Sequence, residues 1–270
     1  MCGIAGLLHF DGAPVERDVL ERMGAALAHR GPDAQGVFLD AAAAPAVGLA
    51  HRRLSIIDLS AEANQPLGGE DGRVRAMLNG EVYNFEALRA ELLARHTFRS
   101  RGDTETIVHG YEDEGDAIVA KLDGMFALAL WDARRRRLLL ARDPFGKKPL
   151  YYWTDGRELL FASEVKALLA GGAPAELDAS GLPEYLALGY VPTPSTLFAG
   201  IERLPPASTL AAGAGGVEGP ATYWDLTFPP AGAVRRVSLA QAADEVRTLL
   251  REAVRKRLVA DVPLGLLLSG

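Results

Sequence analysis

The chain has 270 residues, 49% of them hydrophobic, and a formal net charge of −6 from 29 Lys and Arg against 35 Asp and Glu. That length and apolar content suit one large globular domain or two smaller ones, and the acidic balance argues against nucleic acid as the main partner, because a phosphate backbone requires a concentrated basic face. A single cysteine permits no internal disulfide, and there is neither a basic leader nor an apolar run of membrane-spanning length, so the expected compartment is the reducing cytoplasm with no membrane partner.

In chain order, the apolar pattern predicts a strand over residues 4–10, a helix over 15–28, strands over 46–55 and 75–78, and helices over 85–95 and 104–114. Strands follow over 125–131 and 137–141, with the arginine run 134–137 at a solvated hairpin tip, then strands over 150–153 and 159–162 and helices over 164–169 and 182–188. Asn84 is placed to cap the helix at 85 by accepting a hydrogen bond from an orphan amide. The glycines of 213–219 lack G-x-G-x-x-G spacing and read as a loose hairpin between 208–212 and 221–224. After a Pro/Ala/Gly linker, residues 239–260 form a strong helix pattern, with Ser238 and Gln241 as a capping box and Val246, Leu249, Leu250, Val254 and Leu258 on one face made for burial. Residues 262–270 read as a buried strand and a Ser-Gly turn, the opening of a second α/β domain. Strands alternating with amphipathic segments suit layered sheets carrying helices.

Cys2 directly follows the initiator methionine. Removal of Met1 puts a thiol and a free α-amine on one residue, with reference pKa values of about 8.5 and about 8, so the amine can accept the thiol proton and activate the sulfur. The alternative is an inert structural cysteine. His9, His29, His51, His96 and His109 show no ligand spacing and there is no Cys-x-x-Cys, so no metal is expected.

Five segments fit one pattern: Met1-Cys2-Gly3-Ile4-Ala5-Gly6, His29-Arg-Gly-Pro-Asp33, His51-Arg-Arg-Leu-Ser-Ile-Ile-Asp58, Asn79-Gly-Glu-Val-Tyr-Asn84 and Gly102-Asp-Thr-Glu105. In order and spacing they resemble the class II glutamine amidotransferase domain. Ala141-Arg-Asp-Pro-Phe-Gly-Lys-Lys-Pro-Leu-Tyr-Tyr152, Phe161-Ala-Ser-Glu-Val-Lys-Ala-Leu168 and Gly189-Tyr-Val-Pro-Thr-Pro194 resemble the glutamine-hydrolysing asparagine synthetases in particular. The resemblance implies an α+β fold, the N-terminal-nucleophile (Ntn) four-layer αββα sandwich, over residues 1–228. Residues 229–270 would be a linker and the truncated start of an α/β ATP-pyrophosphatase domain.

Carried over by position, the resemblance makes Cys2 the nucleophile on the side-chain amide of glutamine, with Asn79 and Gly80 as oxyanion donors. Arg53 would bind the substrate carboxylate and Asp103 its ammonium, with Glu81 as a further polar contact and Leu54, Ser55, Ile56 and Ile57 lining the pocket. Leu267, Ser269 and Gly270 would begin an ATP-binding phosphate loop. Glutamine hydrolysis needs no cofactor, while the complete synthetase uses ATP and magnesium to amidate aspartate, a reaction this chain alone is not expected to complete. The oligomeric state stays open, a homodimer being one arrangement compatible with the resemblance.

Taken singly, each residue has a plainer reading: Arg53 as a surface arginine, Asp103 as a helix N-cap, Asn79-Gly80 as a turn. Arg30 and Asp33 are expected to shape a loop over the site, and Asp143 to be structural. Two other functions compete with the leading one. The first is a glutaminase serving a different carboxylate acceptor, and the second is a non-catalytic module that keeps the fold.

Overall fold

The computed structural model describes residues 1–268. The strands and helices run β1 (Gly3–His9), α1 (Arg17–Ala26), β2 (Ala34–Asp40), β3 (Ala46–Arg53), β4 (Leu67–Gly68), β5 (Val74–Val82), α2 (Phe85–Leu92), α3 (Asp103–Glu114), β6 (Gly124–Asp132) and β7 (Arg137–Arg142). They continue through β8 (Tyr151–Thr154), β9 (Glu158–Ala162), α4 (Val165–Gly171), α5 (Leu182–Leu188), β10 (Glu202–Arg203), β11 (Ser208–Gly213), β12 (Gly216–Thr222) and α6 (Leu239–Lys256). One six-stranded sheet has the order β10-β8-β9-β1-β3-β2 and the other β12-β11-β7-β6-β5-β4, with antiparallel neighbours throughout.

Side chains alternate across a strand, so a strand buried on both faces must be apolar at nearly every position. β1 meets this requirement. Ile4 and Leu8 point between the sheets, where they join Val47, Leu49, Met77, Trp131, Leu140 and Phe161 in one cluster. Ala5 and Leu7 point the other way, onto Leu20 and Met23 of α1 and Ala167 and Leu168 of α4. On the far side, Leu78, Phe126 and Leu128 of the second sheet pack against Phe85 of α2 and Ile107, Val108 and Tyr111 of α3. Three apolar layers between four structural layers give the αββα sandwich that the resemblance implied.

Several expectations need correction. β2 is not evident in the sequence, because Gly36 interrupts its apolar pattern; it is an edge strand, half-buried and paired only with β3. β5 runs well past residue 78, so Asn79 and Gly80 are no turn but lie within the strand, opposite Ala127 and Phe126 of β6. Asn84 stands at the N-cap of α2 without capping it, since its side chain instead donates to the Lys121 carbonyl and accepts from the Asp123 amide. The capping box of α6 forms, but the helix face carrying Val246, Leu249, Leu250, Val254 and Leu258 is exposed. No strand forms over 262–268, where Leu266, Leu267 and Leu268 are fully exposed; Ser269 and Gly270 lie outside the described residues.

Candidate active site

Cys2 immediately precedes β1, and the ladder of β1 with β3 sets Gly3 opposite Arg52. That register brings the thiol to the end of β3, where the Leu54 amide donates to Sγ at 3.4 Å and the Leu54 carbonyl lies 3.6 Å from it. Arg30 holds the backbone here: its Nε donates to the Cys2 carbonyl at 2.8 Å while its Nη1 pairs with Glu164 at 2.7 Å. Asp33 accepts from the Ser55 amide at 2.8 Å and so ties its own loop to the segment after β3, whereas Arg30 holds the N-terminal backbone.

The half-buried thiol lines two adjoining spaces. An inner pocket is lined by Cys2, Arg53, Leu54, Ile57, Gly80, Glu81 and Asp103. An outer cavity of about 220 Å³ is lined by Cys2, Ile56, Ile57, Asn79, Gly80, Glu81 and Lys148, and by Arg257, Val259, Ala260 and Leu264 from beyond α6. The fold thus brings together Cys2, Arg53, Leu54, Ile56, Ile57, Asn79, Gly80, Glu81 and Asp103. Ser55 lines neither space and borders a separate surface depression with Asp33.

Asn79 is fully buried, and neither its Nδ2 nor its Oδ1 has a hydrogen-bond partner. Buried amides are nearly always paired, so an orphaned one on the wall of a cavity is open to bond whatever occupies that cavity. Gly80 cannot be replaced without moving the sheet, because a Cβ there would lie 2.0 Å from the Met125 carbonyl oxygen and 2.7 Å from the Phe126 Cα.

Arg53 is buried, and its guanidinium is turned onto the loop that follows β3. It donates to Ser60 O (2.8 Å), Asn64 Oδ1 (3.0 Å), Ile57 O (3.3 Å) and Asp58 O. Asp103 opens α3, not as its N-cap but as its first residue, and accepts from the Val82 amide at 3.0 Å.

Burial pushes the Cys2 thiol above its ordinary value; the Leu54 amide and the terminal ammonium oppose the shift, and the carboxylates of Glu81 and Asp103 add to it. Those two carboxylates are themselves raised, Glu81 by burial and repulsion from Asp103, Asp103 by burial. Burial lowers the Lys148 ammonium and the α-amine of Met1. Lys148 is the wall residue that motif reasoning missed, although it lies in the quoted 141–152 segment. Beside it, Asp143 is structural as expected: its carboxylate accepts the amides of Phe126, Phe145, Lys147 and Lys148 and so shapes the turn that presents the lysine.

A second polar cluster lies away from this site, where Glu70, His96 and His109 each place a donor atom within 4.8 Å of the others. By residue type the group could hold a metal. Burial opposes charge on His109, but Glu105 and Glu112 outweigh it and hold the ring as an imidazolium, pushed up to about 9, with no lone pair to offer. A raised histidine contributes its full stability below pH 6.5 and loses it as pH rises through about 9. Urea denaturation between pH 6 and 10 should show this decline in the native chain and a flatter profile in His109→Gln. Identical profiles would assign the cluster no such role.

Of the residues assigned to an ATP-binding phosphate loop, Leu267 is fully exposed, and Ser269 and Gly270 lie outside the described residues.

The family described as "Glutamine amidotransferase domain" matches residues 1–224, and that described as "Asparagine synthase" matches residues 245–270. "Asparagine synthetase [glutamine-hydrolyzing] 1" of Bacillus subtilis (strain 168) is 36% identical over 276 residues, covering 100% of this chain and 42% of the relative. "Amidase chry2" of Gibberella zeae is 37% identical over 280 residues, covering 100% of this chain and 41% of that protein. The chain therefore spans less than half the length of these relatives. Among solved structures, the glutamine phosphoribosylpyrophosphate amidotransferase of B. subtilis shares the fold at a TM-score of 0.57 and 18% identity, over 80% of this chain and 48% of that one. With an αββα sandwich and a family match over most of its length, this chain belongs to the glutamine amidotransferase domain family, and it resembles glutamine-hydrolysing asparagine synthetases from end to end.

Proposed function

We propose that the chain hydrolyses glutamine to glutamate and ammonia through a thioester on Cys2. The observation that carries this reading is the pairing of a thiol, held by the Leu54 amide, with the orphaned Asn79 amide on the wall of the same cavity. Once Met1 is removed, the α-amine of Cys2 takes the thiol proton and the sulfur attacks the side-chain carbonyl carbon of glutamine. The carbonyl oxygen becomes an oxyanion held by Asn79 Nδ2–H and Gly80 N–H. Collapse forms the γ-glutamyl thioester and expels ammonia with the proton that the amine carried. Water, deprotonated by the same amine, attacks the thioester, and glutamate leaves as the thiol reforms.

Arg53 takes the α-carboxylate of free glutamine, its Nε–H being the guanidinium donor that the loop acceptors leave open, and Asp103, with Glu81, takes its ammonium. Burial remains the main cause of the raised thiol, but arrival of that ammonium offsets the part contributed by Glu81 and Asp103, so substrate binding shifts the sulfur toward the thiolate. Because both carboxylates are raised, they take up protons well above the usual carboxylate range. kcat/KM for glutamine should accordingly fall as pH drops below neutrality, before an ordinary carboxylate of pKa about 4 would titrate. A pH-rate profile that stays flat down to pH 5 would contradict this assignment.

The expelled ammonia serves an ATP-dependent amidation of aspartate in the complete enzyme, with ATP and magnesium bound outside the residues described; a cytoplasmic homodimer fits this reading. The outer cavity, walled by Arg257, Val259, Ala260 and Leu264, is where a passage for that ammonia would begin. The amidase relatives support a second reading, in which the same glutaminase serves another carboxylate acceptor. The test is release of glutamate and ammonia from glutamine by protein whose N-terminus is verified as Cys2 by mass spectrometry. Failure of that processed protein to release either product would refute the proposal.

A further inference from the structure

Asp261 lies beyond α6, outside the αββα sandwich, yet it grips the loop behind the thiol at two points. Its amide donates to the Ile56 carbonyl at 2.8 Å, and its Oδ2 accepts the Asp58 amide at 2.7 Å. Asp58 is buried and sits in the left-handed region at φ 55°, where a residue with a side chain is held only if its surroundings demand it. The surroundings supply the demand: the Asp58 carboxylate accepts the amides of Ser60 (3.0 Å) and Arg101 (2.6 Å), and its carbonyl accepts from Arg53. Three of the four acceptors of the Arg53 guanidinium, the carbonyls of Ile57, Asp58 and Ser60, belong to this loop. The end of α6 is anchored alongside, with Lys256 paired to Asp123 at 2.7 Å and the Arg257 guanidinium over the Tyr83 ring at 4.8 Å.

We propose that Asp261 is a positioning residue for glutamine capture: its clasp on Ile56 and Asp58 fixes the carbonyls that aim Arg53, so the segment after α6 sets the affinity of the glutamine pocket. The inference rests on the glutaminase reading and adds a route by which movement outside the amidotransferase sandwich reaches it. Without the side-chain half of the clasp, Asp58 keeps its bonds to Ser60, Arg101 and Arg53, but its amide is released and the Ile57–Asp58 peptide is free to turn. The Ile57 and Asp58 carbonyls then move, and Arg53 loses its fixed aim. Cys2, Asn79 and Gly80 take no bonds from Asp261, so the chemical step is left intact.

The experiment compares wild type, Asp261→Ala and Asp261→Asn in the 270-residue chain, with Cys2→Ala as the reference for the enzymatic reading. Asp261→Ala should raise KM for glutamine about tenfold with kcat within about twofold, the size expected for losing a hydrogen bond to a charged acceptor. Asp261→Asn keeps an oxygen for the Asp58 amide and should restore KM to within about threefold of wild type. Amide hydrogen exchange over residues 54–60 gives a readout independent of turnover: faster in Asp261→Ala and close to wild type in Asp261→Asn. A KM unchanged in Asp261→Ala while wild type hydrolyses glutamine overturns this inference alone, as does a loss of kcat equal to the rise in KM. Equal hydrolysis by wild type and Cys2→Ala overturns the glutaminase reading and this inference with it.

Discussion

Replacing Cys2 with alanine is expected to lower the rate of glutamine hydrolysis by about 10⁴-fold or more and to leave the fold intact. The two effects separate because the sulfur contributes nothing to the three apolar clusters that hold the sandwich together. Its contacts are the amide and carbonyl of Leu54 at the edge of a cavity, where water can replace it. Cys2→Ser tests the chemistry more narrowly. A hydroxyl keeps both contacts but ionises far less readily than a thiol, so the serine chain should bind glutamine and barely turn it over. Ammonia release with a thermal melt on the same samples checks both variants. Hydrolysis within tenfold of wild type in Cys2→Ala would remove the covalent mechanism.

Asn79→Ala is expected to lower kcat by about 10² to 10³-fold, or about 3 to 4 kcal/mol of transition-state stabilisation, with little change in KM. Stability distinguishes a catalytic amide from a structural one here. A structural amide makes hydrogen bonds in the folded chain, and removing it leaves its partners unsatisfied. Asn79 makes none to protein groups among the described residues, so removing its side-chain amide leaves no protein partner unsatisfied. The alanine chain should therefore melt at the same temperature as wild type or slightly above. A drop of several degrees with kcat unchanged would make Asn79 a packing residue.

Much of the sandwich was legible in the sequence because strands covered on both faces leave a nearly unbroken apolar record. Residues 3–9 and 124–132 are of this kind, and their positions were read closely. β2 left no such record, since an edge strand with a central glycine has neither strict alternation nor a continuous apolar run. The reading of residues 239–260 as an amphipathic helix held, while the prediction that its apolar face is covered did not, because periodicity reports what a face could bury and not what lies against it.

The candidate site was legible as a set of residues but not as a geometry. Motif order picked out Cys2, Arg53, Asn79, Gly80 and Asp103, which chain distance separates and the two sheets reunite. It gave no sign that Asn79 and Gly80 lie inside a strand, since Asn-Gly is a turn signal wherever local preference decides, and here the ladder with β6 overrides it. Nor did it foresee that the Arg53 guanidinium is turned onto loop carbonyls, or that Lys148 completes the wall, because such arrangements depend on contacts between segments far apart in sequence.

The placement of Asn79 and Gly80 within β5, paired along its length to β6, has a consequence for how the protein fails under stress. Paired interior strands open only when the whole domain opens, whereas a loop tied by a few polar bonds loosens earlier. The proposed oxyanion donors are strand-borne and the arginine proposed to grip the substrate depends on a loop, so the two halves of the proposed site should differ in thermal tolerance. A warmed sample would first demand more glutamine to reach the same velocity, and would lose its limiting velocity only as the sheets came apart.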